Sequence, residues 1–250
     1  MQIDKTHLAL IADIYDVALD PTHWIDRLDR LAACLGAAGA SIQLVDPHYE
    51  EAQVQALSSA FDLDRLRWDE VYSTRLFGTQ VHDIPAYQYL LRQGGPGFHR
   101  DVEALGFSDD SELAEHPPTA VMREYMGTFY RAASLLNDNR VWVDTVAVQF
   151  REGRGHMTEA ERELGSVFLP HLAKVVELNR SFLVLRARYQ AVLDALDHFQ
   201  IGTFLVRPDA EVVLRNLAAE RILEQGDGLR LAHGGRLKEG GEAAGALAAG

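Results

Sequence analysis

At 250 residues the chain has room for one large domain or two small ones, each with an ample core. Its 24 Lys plus Arg against 37 Asp plus Glu leave a net charge of −13. That balance suits no polyanionic partner, because nucleic-acid affinity comes largely from basic groups that neutralise phosphates. A lone cysteine, Cys34, rules out an internal disulfide and fits a reducing cytoplasm. The start lacks a basic region followed by an apolar one, and no apolar run is long enough for a membrane span. A cytoplasmic protein without membrane contact is expected.

The opening reads as helix, with Leu8, Ile11, Ile14, Tyr15 and Ala18 on one apolar stripe. Asp20-Pro21 supplies a cap and a first-turn proline for a second helix. That helix buries Trp24, Leu28, Leu31 and Leu35 and stops at Gly36. A strand is predicted over Ser41 to Val45, closed by Asp46-Pro47, and a weaker one over Val54 to Ser58. From Asp62 to Phe77 the pattern is helical again, with Leu63, Leu66, Tyr72 and Leu76 inward. The stretch from Gly78 to Pro118 reads as the least regular, carrying Asp83-Ile84-Pro85, Gly94-Gly95-Pro96-Gly97 and Pro117-Pro118. Long irregular segments in compact domains often line binding sites. Thr119 to Gly127 is helical, and Ala132 to Leu136 pairs with Arg140 to Phe150 across Asn137-Asp138-Asn139. This order predicts an α+β domain in which an antiparallel sheet is covered by helices.

Thr158 to Asp197 then carries a sustained helical repeat: Leu164, Phe168, His171, Val175, Leu178, Phe182, Leu185, Tyr189, Val192 and Leu196. The alternating steps of four and three are those of a coiled-coil seam. Thr158 and Glu161 form a capping-box pattern at its start. Pro170 removes a helical hydrogen bond and predicts a kink or break near Leu169. With a different module on each side, the helix reads as a connector that also dimerises. The predicted interface is Val175, Leu178, Phe182, Leu185, Tyr189 and Val192, with His171 as a partnered seam histidine. Beyond it, Ile201 to Val206 and Val212 to Arg215 are strands around Arg207-Pro208-Asp209-Ala210, and Asn216 starts a short helix over Leu217 to Leu223. The glycine-rich remainder thins out to a frayed tail over Glu242 to Gly250.

Catalytic constellations are missing. There is no Gly-x-Ser-x-Gly elbow and no glycine motif for dinucleotides or nucleotide phosphates. Gly94-Gly95-Pro96-Gly97 lacks a following Lys-Ser/Thr and reads as a loop. His82, Asp83, His99 and Asp101 are the nearest approach to a metal set, but without helical spacing or cysteine partners. Neither enzymatic activity, a metal nor a cofactor is expected. The suggestive feature is a series of aromatics around the irregular middle, led by Trp68 and Tyr72 one turn apart. They either fill the core or border a pocket. In the pocket reading Trp68, Tyr72, Asp83 and Tyr87 contact a ligand.

Residues 193–223 resemble the opening of a PAS domain, through Leu196, Gly202, Val206, Asp209, Val213, Asn216, Ala218, Ala219 and Leu223. GDGLRLAHGGRL (226–237), IYDVALDPTHWIDRLDRLAACLGAAGASIQLVD (14–46) and LPHLAKVVELNRSF (169–182) are similar to stretches of multidomain LuxR-family transcriptional regulators. This resemblance implies a GAF-like sensor over 1–157, a connector helix over 158–197 and a partial PAS-like segment over 198–250. It also implies sensing of a small molecule or protein signal by a homodimer, with DNA reached only through a helix-turn-helix that these residues lack. The competing expectation is a stand-alone anti-activator that forms mixed dimers with full-length regulators. Trp68-Asp69-Glu70-Val71-Tyr72 further resembles the Trp-x-x-x-Tyr of the family's acyl-homoserine-lactone-binding domains. There an Asp-Pro follows shortly; here Asp83-Ile84-Pro85 is displaced and interrupted.

Overall fold

Short polar caps set where the first helices begin. The Asp4 carboxylate accepts from the backbone N–H groups of Thr6 and His7 and starts helix α1, Lys5–Ile14. Asp20 does the same for Thr22, and Pro21 opens a single 3-10 turn that runs into α2, Trp24–Cys34. Cys34 lies half-buried at the end of α2, as a small residue against the core. The computed structural model describes residues 3–46, 51–61, 81–138, 143–226, 228–232 and 234–240. The helix predicted over Asp62 to Phe77 lies outside them, as does the tail after Gly240.

Two compact units divide the chain, Met1–Arg180 and Ser181–Gly250. The first is built on a five-stranded antiparallel sheet ordered β2-β1-β5-β4-β3. Its strands are β1 (Gly39–Asp46), β2 (Glu51–Leu57), β3 (His99–Arg100), β4 (Thr128–Asp138) and β5 (Val143–Arg151). This is the α+β architecture that the element order and the GAF-like resemblance imply. β5 is central, and Val143 to Phe150 are buried without interruption, so both of its faces are covered.

Alternation along the strands sorts the two faces. Ala40, Ile42, Ala132, Leu136, Val146, Val148 and Phe150 meet Leu10 and Ile14 of α1 and Leu28 and Leu31 of α2. The same core takes Phe168, Leu169, Leu172, Val175 and Val176 from the long helix α7, Glu159–His198. Burying large apolar side chains contributes about 1.5–3 kcal/mol each, so this face holds the unit together. On the opposite face Val45, Leu135 and Val143 pack against Ile84, Tyr87 and Leu90 of α3, Ile84–Gln93.

The segment expected to be irregular is mostly helical. After α3 come α4 (Asp101–Leu105), α5 (Asp110–Glu115) and α6 (Pro117–Met126). The Pro and Gly residues read as loop markers instead punctuate helices. Pro85 and Pro117 stand in first turns, and Gly94, Gly106 and Gly127 end α3, α4 and α6 in the left-handed conformation. β4 also begins at Thr128, ahead of the predicted Ala132, so Phe129 and Tyr130 are strand residues.

Helix α7 runs through Pro170 as one continuous helix, without the break expected near Leu169. Pro170 and Ser166 lie on the exposed side, where the carbonyl freed by the missing N–H reaches water. Ser166 Oγ donates back to the Arg162 carbonyl on that side. At its start the expected capping box is present: Thr158 N donates to Glu161 and Glu161 N to Thr158 Oγ1. Residues of α7 up to Arg180 belong to the first unit, so the boundary falls within the helix rather than at its start. Among the described residues no helix is long and apolar enough to cross a membrane.

In the second unit β6 (Phe204–Val206) and β7 (Val212–Arg215) pair antiparallel, as expected. Asn216 caps α8, Leu217–Gln225, accepting from Ala219 N at 3.0 Å and Thr203 N at 2.8 Å while donating to Ile201 O at 2.9 Å. Leu229–Leu231 (β8) and Leu237–Glu239 (β9) form a further hairpin where only a thinning pattern was legible.

Candidate functional site

The sheet face under α3, α4 and α6 is unusually polar for a covered surface. Register places Ser41 opposite Ala147 and Gln43 opposite Thr145, while Arg131 pairs with Gln149 and Ala133 with Ala147. These residues share one face, with Val45, Leu135 and Val143 at its apolar end. Ser41, Thr145 and Gln149 are all at most 3 % exposed. Such groups cost free energy to bury unless hydrogen bonds repay it, so their placement needs a reason.

Arg131 is the centre. Its Nη1 and Nη2 donate to the two oxygens of Asp83 at 2.9 and 2.7 Å, and its Nε donates to Asp101 at 3.1 Å. Asp83 stands immediately before α3 and Asp101 opens α4, so two helix starts converge on one guanidinium. Burial works against the Arg131 charge, but Asp101 and Asp83 outweigh it and hold the group firmly protonated. One positive charge does not balance two negative ones. Burial therefore pushes Asp101, which has the single longer bond, up to about 6 despite the opposing pull of Arg131.

His116 closes one side. Its Nε2 lies 3.2 Å from the His82 carbonyl, which fixes that nitrogen as the donor, and Nδ1 faces Thr119 Oγ1 at 3.2 Å. Burial lowers its pKa, although Asp83 at 3.7 Å pulls the other way. Tyr87 donates its hydroxyl to Gln43 Oε1 at 2.9 Å, and Gln149 Nε2 donates to Ser41 Oγ at 3.1 Å. Two small cavities flank the Arg131–Asp101 pair. One of about 20 Å³ is lined by Thr119, Thr128 and Gln149, and one of about 10 Å³ by Gln43, Asp83 and Tyr87. Each is on the scale of a single water molecule.

Of the predicted ligand residues, Asp83 and Tyr87 come together here, both engaged by side chains of this chain. Trp68 and Tyr72 lie outside the described residues. The metal-like set separates: Asp83 and Asp101 meet on Arg131, His82 sits edge-on to His116, and His99 packs against Tyr89. Among the described residues no group of three metal-ligating side chains forms. Sequence reasoning missed Arg131, Gln43 and Gln149. The available signal was a polar residue at inward steps of otherwise apolar strands.

The predicted dimer seam divides. Val175 is fully buried and Leu178 partly buried in the core of their own unit, so Val175 has no surface to offer a partner. Its inward direction comes from the face of α7 that covers the sheet. Phe182, Leu185, Tyr189 and Val192 are exposed, as are Leu183 and Val184. His171 is partnered within the chain, its Nδ1 3.0 Å from the Tyr15 hydroxyl.

No protein-family model matches the chain, and no curated relative matches it. Its fold is similar to several solved structures at low sequence identity. The VqsR ligand-binding domain of Pseudomonas aeruginosa superposes at TM-score 0.48 and 10 % identity, over 72 % of this chain and 99 % of that one. CepR2 of Burkholderia cenocepacia, an N-acylhomoserine-lactone-dependent LuxR-family factor, gives 0.46 and 15 %, over 74 % and 99 %. The GAF domain of a phosphoenolpyruvate-protein phosphotransferase from Coxiella burnetii gives 0.43 and 15 %, over 72 % and 99 %.

Proposed function

We propose that this chain is the sensory region of a LuxR-type transcriptional regulator, with a small polar molecule bound between the sheet and helices α3, α4 and α6. The role is binding rather than catalysis. One observation carries the reading: Arg131, Gln43 and Gln149 of the covered sheet face, with Asp83 and Asp101 at the helix starts above it, stand where apolar side chains would pack at lower cost. Small-molecule sites place a few such groups in apolar surroundings, here Ile84, Leu90, Leu135 and Ala133. The regulatory half rests on the LuxR-like stretches at 14–46, 169–182 and 226–237. In this reading the ligand biases α7, and does so only through different affinities for its alternative arrangements. The exposed Phe182, Leu185, Tyr189 and Val192 supply the homodimer seam. A stand-alone anti-activator would use the same exposed stretch against full-length relatives.

The test is whether the purified protein carries or takes up a small molecule. Mass spectrometry of the denatured protein and thermal unfolding against a metabolite library are both direct. A co-purifying compound, or a compound that raises Tm in the wild type and not in Arg131→Met, supports the reading. A protein that carries none and responds to none overturns it.

A further inference from the structure

The polar content of this site is unbalanced, and the imbalance has a sign. Asp83 and Asp101 place two carboxylates on the one guanidinium of Arg131. Gln149 is 3 % exposed, and its amide nitrogen is committed to Ser41 Oγ. Its Oε1, an atom that only accepts, has no partner among the described residues. Thr128, 2 % exposed, has an equally unpartnered Oγ1. Thr128, Gln149, Asp101 and Arg131 line the same cavity, whose volume of about 20 Å³ suits a water-sized group.

A group that completes this cavity must bring N–H or O–H donors, because an amide oxygen can take nothing else. A positive charge on it also offsets the excess carboxylate. A carboxylate or phosphate would instead face two like charges in a setting of low dielectric. Quaternary ammonium has the right charge but neither the donors nor the size. A trapped water would satisfy the same acceptors and leave the charge excess standing. Charge-assisted donors make the stronger and shorter bonds.

We propose that the cavity beside Asp101, Thr128 and Gln149 is a subsite for a primary ammonium group, so that the molecule sensed is a small amine. Gln149 Oε1, Thr128 Oγ1 and the Asp101 carboxylate accept its hydrogen bonds. This inference rests on the sensor reading above and narrows its ligand to one chemical class.

Thermal unfolding of the purified chain in methylammonium chloride tests it, with tetramethylammonium chloride and sodium acetate at matched ionic strength. Methylammonium is expected to raise Tm saturably by about 2–4 °C, the shift that modest binding gives a domain of this size, while the other two salts do not. Gln149→Leu with Thr128→Val removes the unpartnered atoms, is expected to fold, and should abolish the response. If that pair fails to fold, Asp101→Asn keeps the shape and should weaken the response about tenfold, the loss of one charge-assisted bond. An equal response to all three salts, no response to methylammonium, or a response that survives in these variants overturns the ammonium subsite. A nitrogen-free metabolite that raises Tm overturns it too while leaving the sensor standing. Failure of every ligand class removes the sensor itself.

Discussion

Arg180 is ion-paired with Asp144, a fully buried carboxylate on the central strand β5. Asn137 of β4 joins them, donating its amide to Asp144 at 3.2 Å and to the Ala173 carbonyl of α7 at 2.9 Å. Arg180 is also the last residue of the first unit. Thr145, next to Asp144 along β5, lies on the opposite face of the sheet, the one that carries Arg131 and Gln43. Successive residues of one strand thus lie on the sheet face that carries Arg131 and on the face that meets α7. In the sensor reading proposed above, strand β5 is where a bound ligand would act on α7.

Breaking this pair should cost more from one end than from the other. Arg180→Met leaves the Asp144 charge buried with Asn137 as its side-chain partner among the described residues, and about 3–5 kcal/mol of unfolding free energy should be lost. Asp144→Asn leaves a partly exposed guanidinium that water can reach, so a smaller loss is expected. Urea unfolding of both variants measures the difference, and the reverse ranking would contradict the burial of Asp144.

The carboxyl of Asp101 makes stability depend on pH in an unusual direction. Its folded pKa, about 6, lies above the ordinary 3.8, so folding favours the protonated form. That contribution is fully present below about 3.8 and is lost as pH rises through about 6, amounting to roughly 3 kcal/mol. Asn at this position mimics the protonated form. Asp101→Asn should therefore gain stability relative to the wild type between pH 4 and pH 7, measured by urea unfolding at both. A difference that stays flat over that range would show that Asp101 is ionised throughout.

Gly165 offers a reversal of a familiar rule. Replacing glycine by alanine inside a helix normally stabilises by about 1 kcal/mol. On α7, however, a Cβ at 165 would lie 2.6 and 2.8 Å from ring carbons of Phe98, which is fully buried and has little room to move. Gly165→Ala should destabilise by about 1–3 kcal/mol, the range for overpacking. Thermal or urea unfolding decides the sign.

Much of the fold was legible because periodicity reports burial. The apolar stripes of α1 and α2 and the Asn216 cap follow from local rules, whereas Asn137 and Asp138, expected in a turn, are the last paired residues of strand β4. The helices α3 to α5 were not legible. Each is ten residues or fewer, too short for a periodic pattern, and their terminal Pro and Gly residues mimic loop signals. The site was half legible: Asp83 and Tyr87 were named from their place in the chain. Nothing local indicated that Arg131, on a strand 48 residues further on, would bind Asp83. The seam repeat of α7 misled for a physical reason. A stripe spaced four and three covers a sheet as well as it covers a partner helix, and sequence alone does not show where one use ends and the other begins.

That division sets the assembly prediction. The described structure places Val175 in the core at 0 % exposure and Leu185 in solvent at 64 %. If the exposed stretch dimerises, Phe182→Asp with Leu185→Asp should give a folded monomer with unchanged helical circular dichroism. Each lost apolar contact is worth about 1.5–3 kcal/mol per side chain, so the pair is enough to dissociate a micromolar dimer. Val175→Asp should behave differently, burying an unpaired carboxylate beside Phe168 and Leu172 and unfolding the first unit rather than separating two folded copies. Light scattering alongside circular dichroism distinguishes the outcomes. A wild type that is monomeric at tens of micromolar removes the dimer, and a Val175→Asp chain that folds as a monomer would return that residue to the interface.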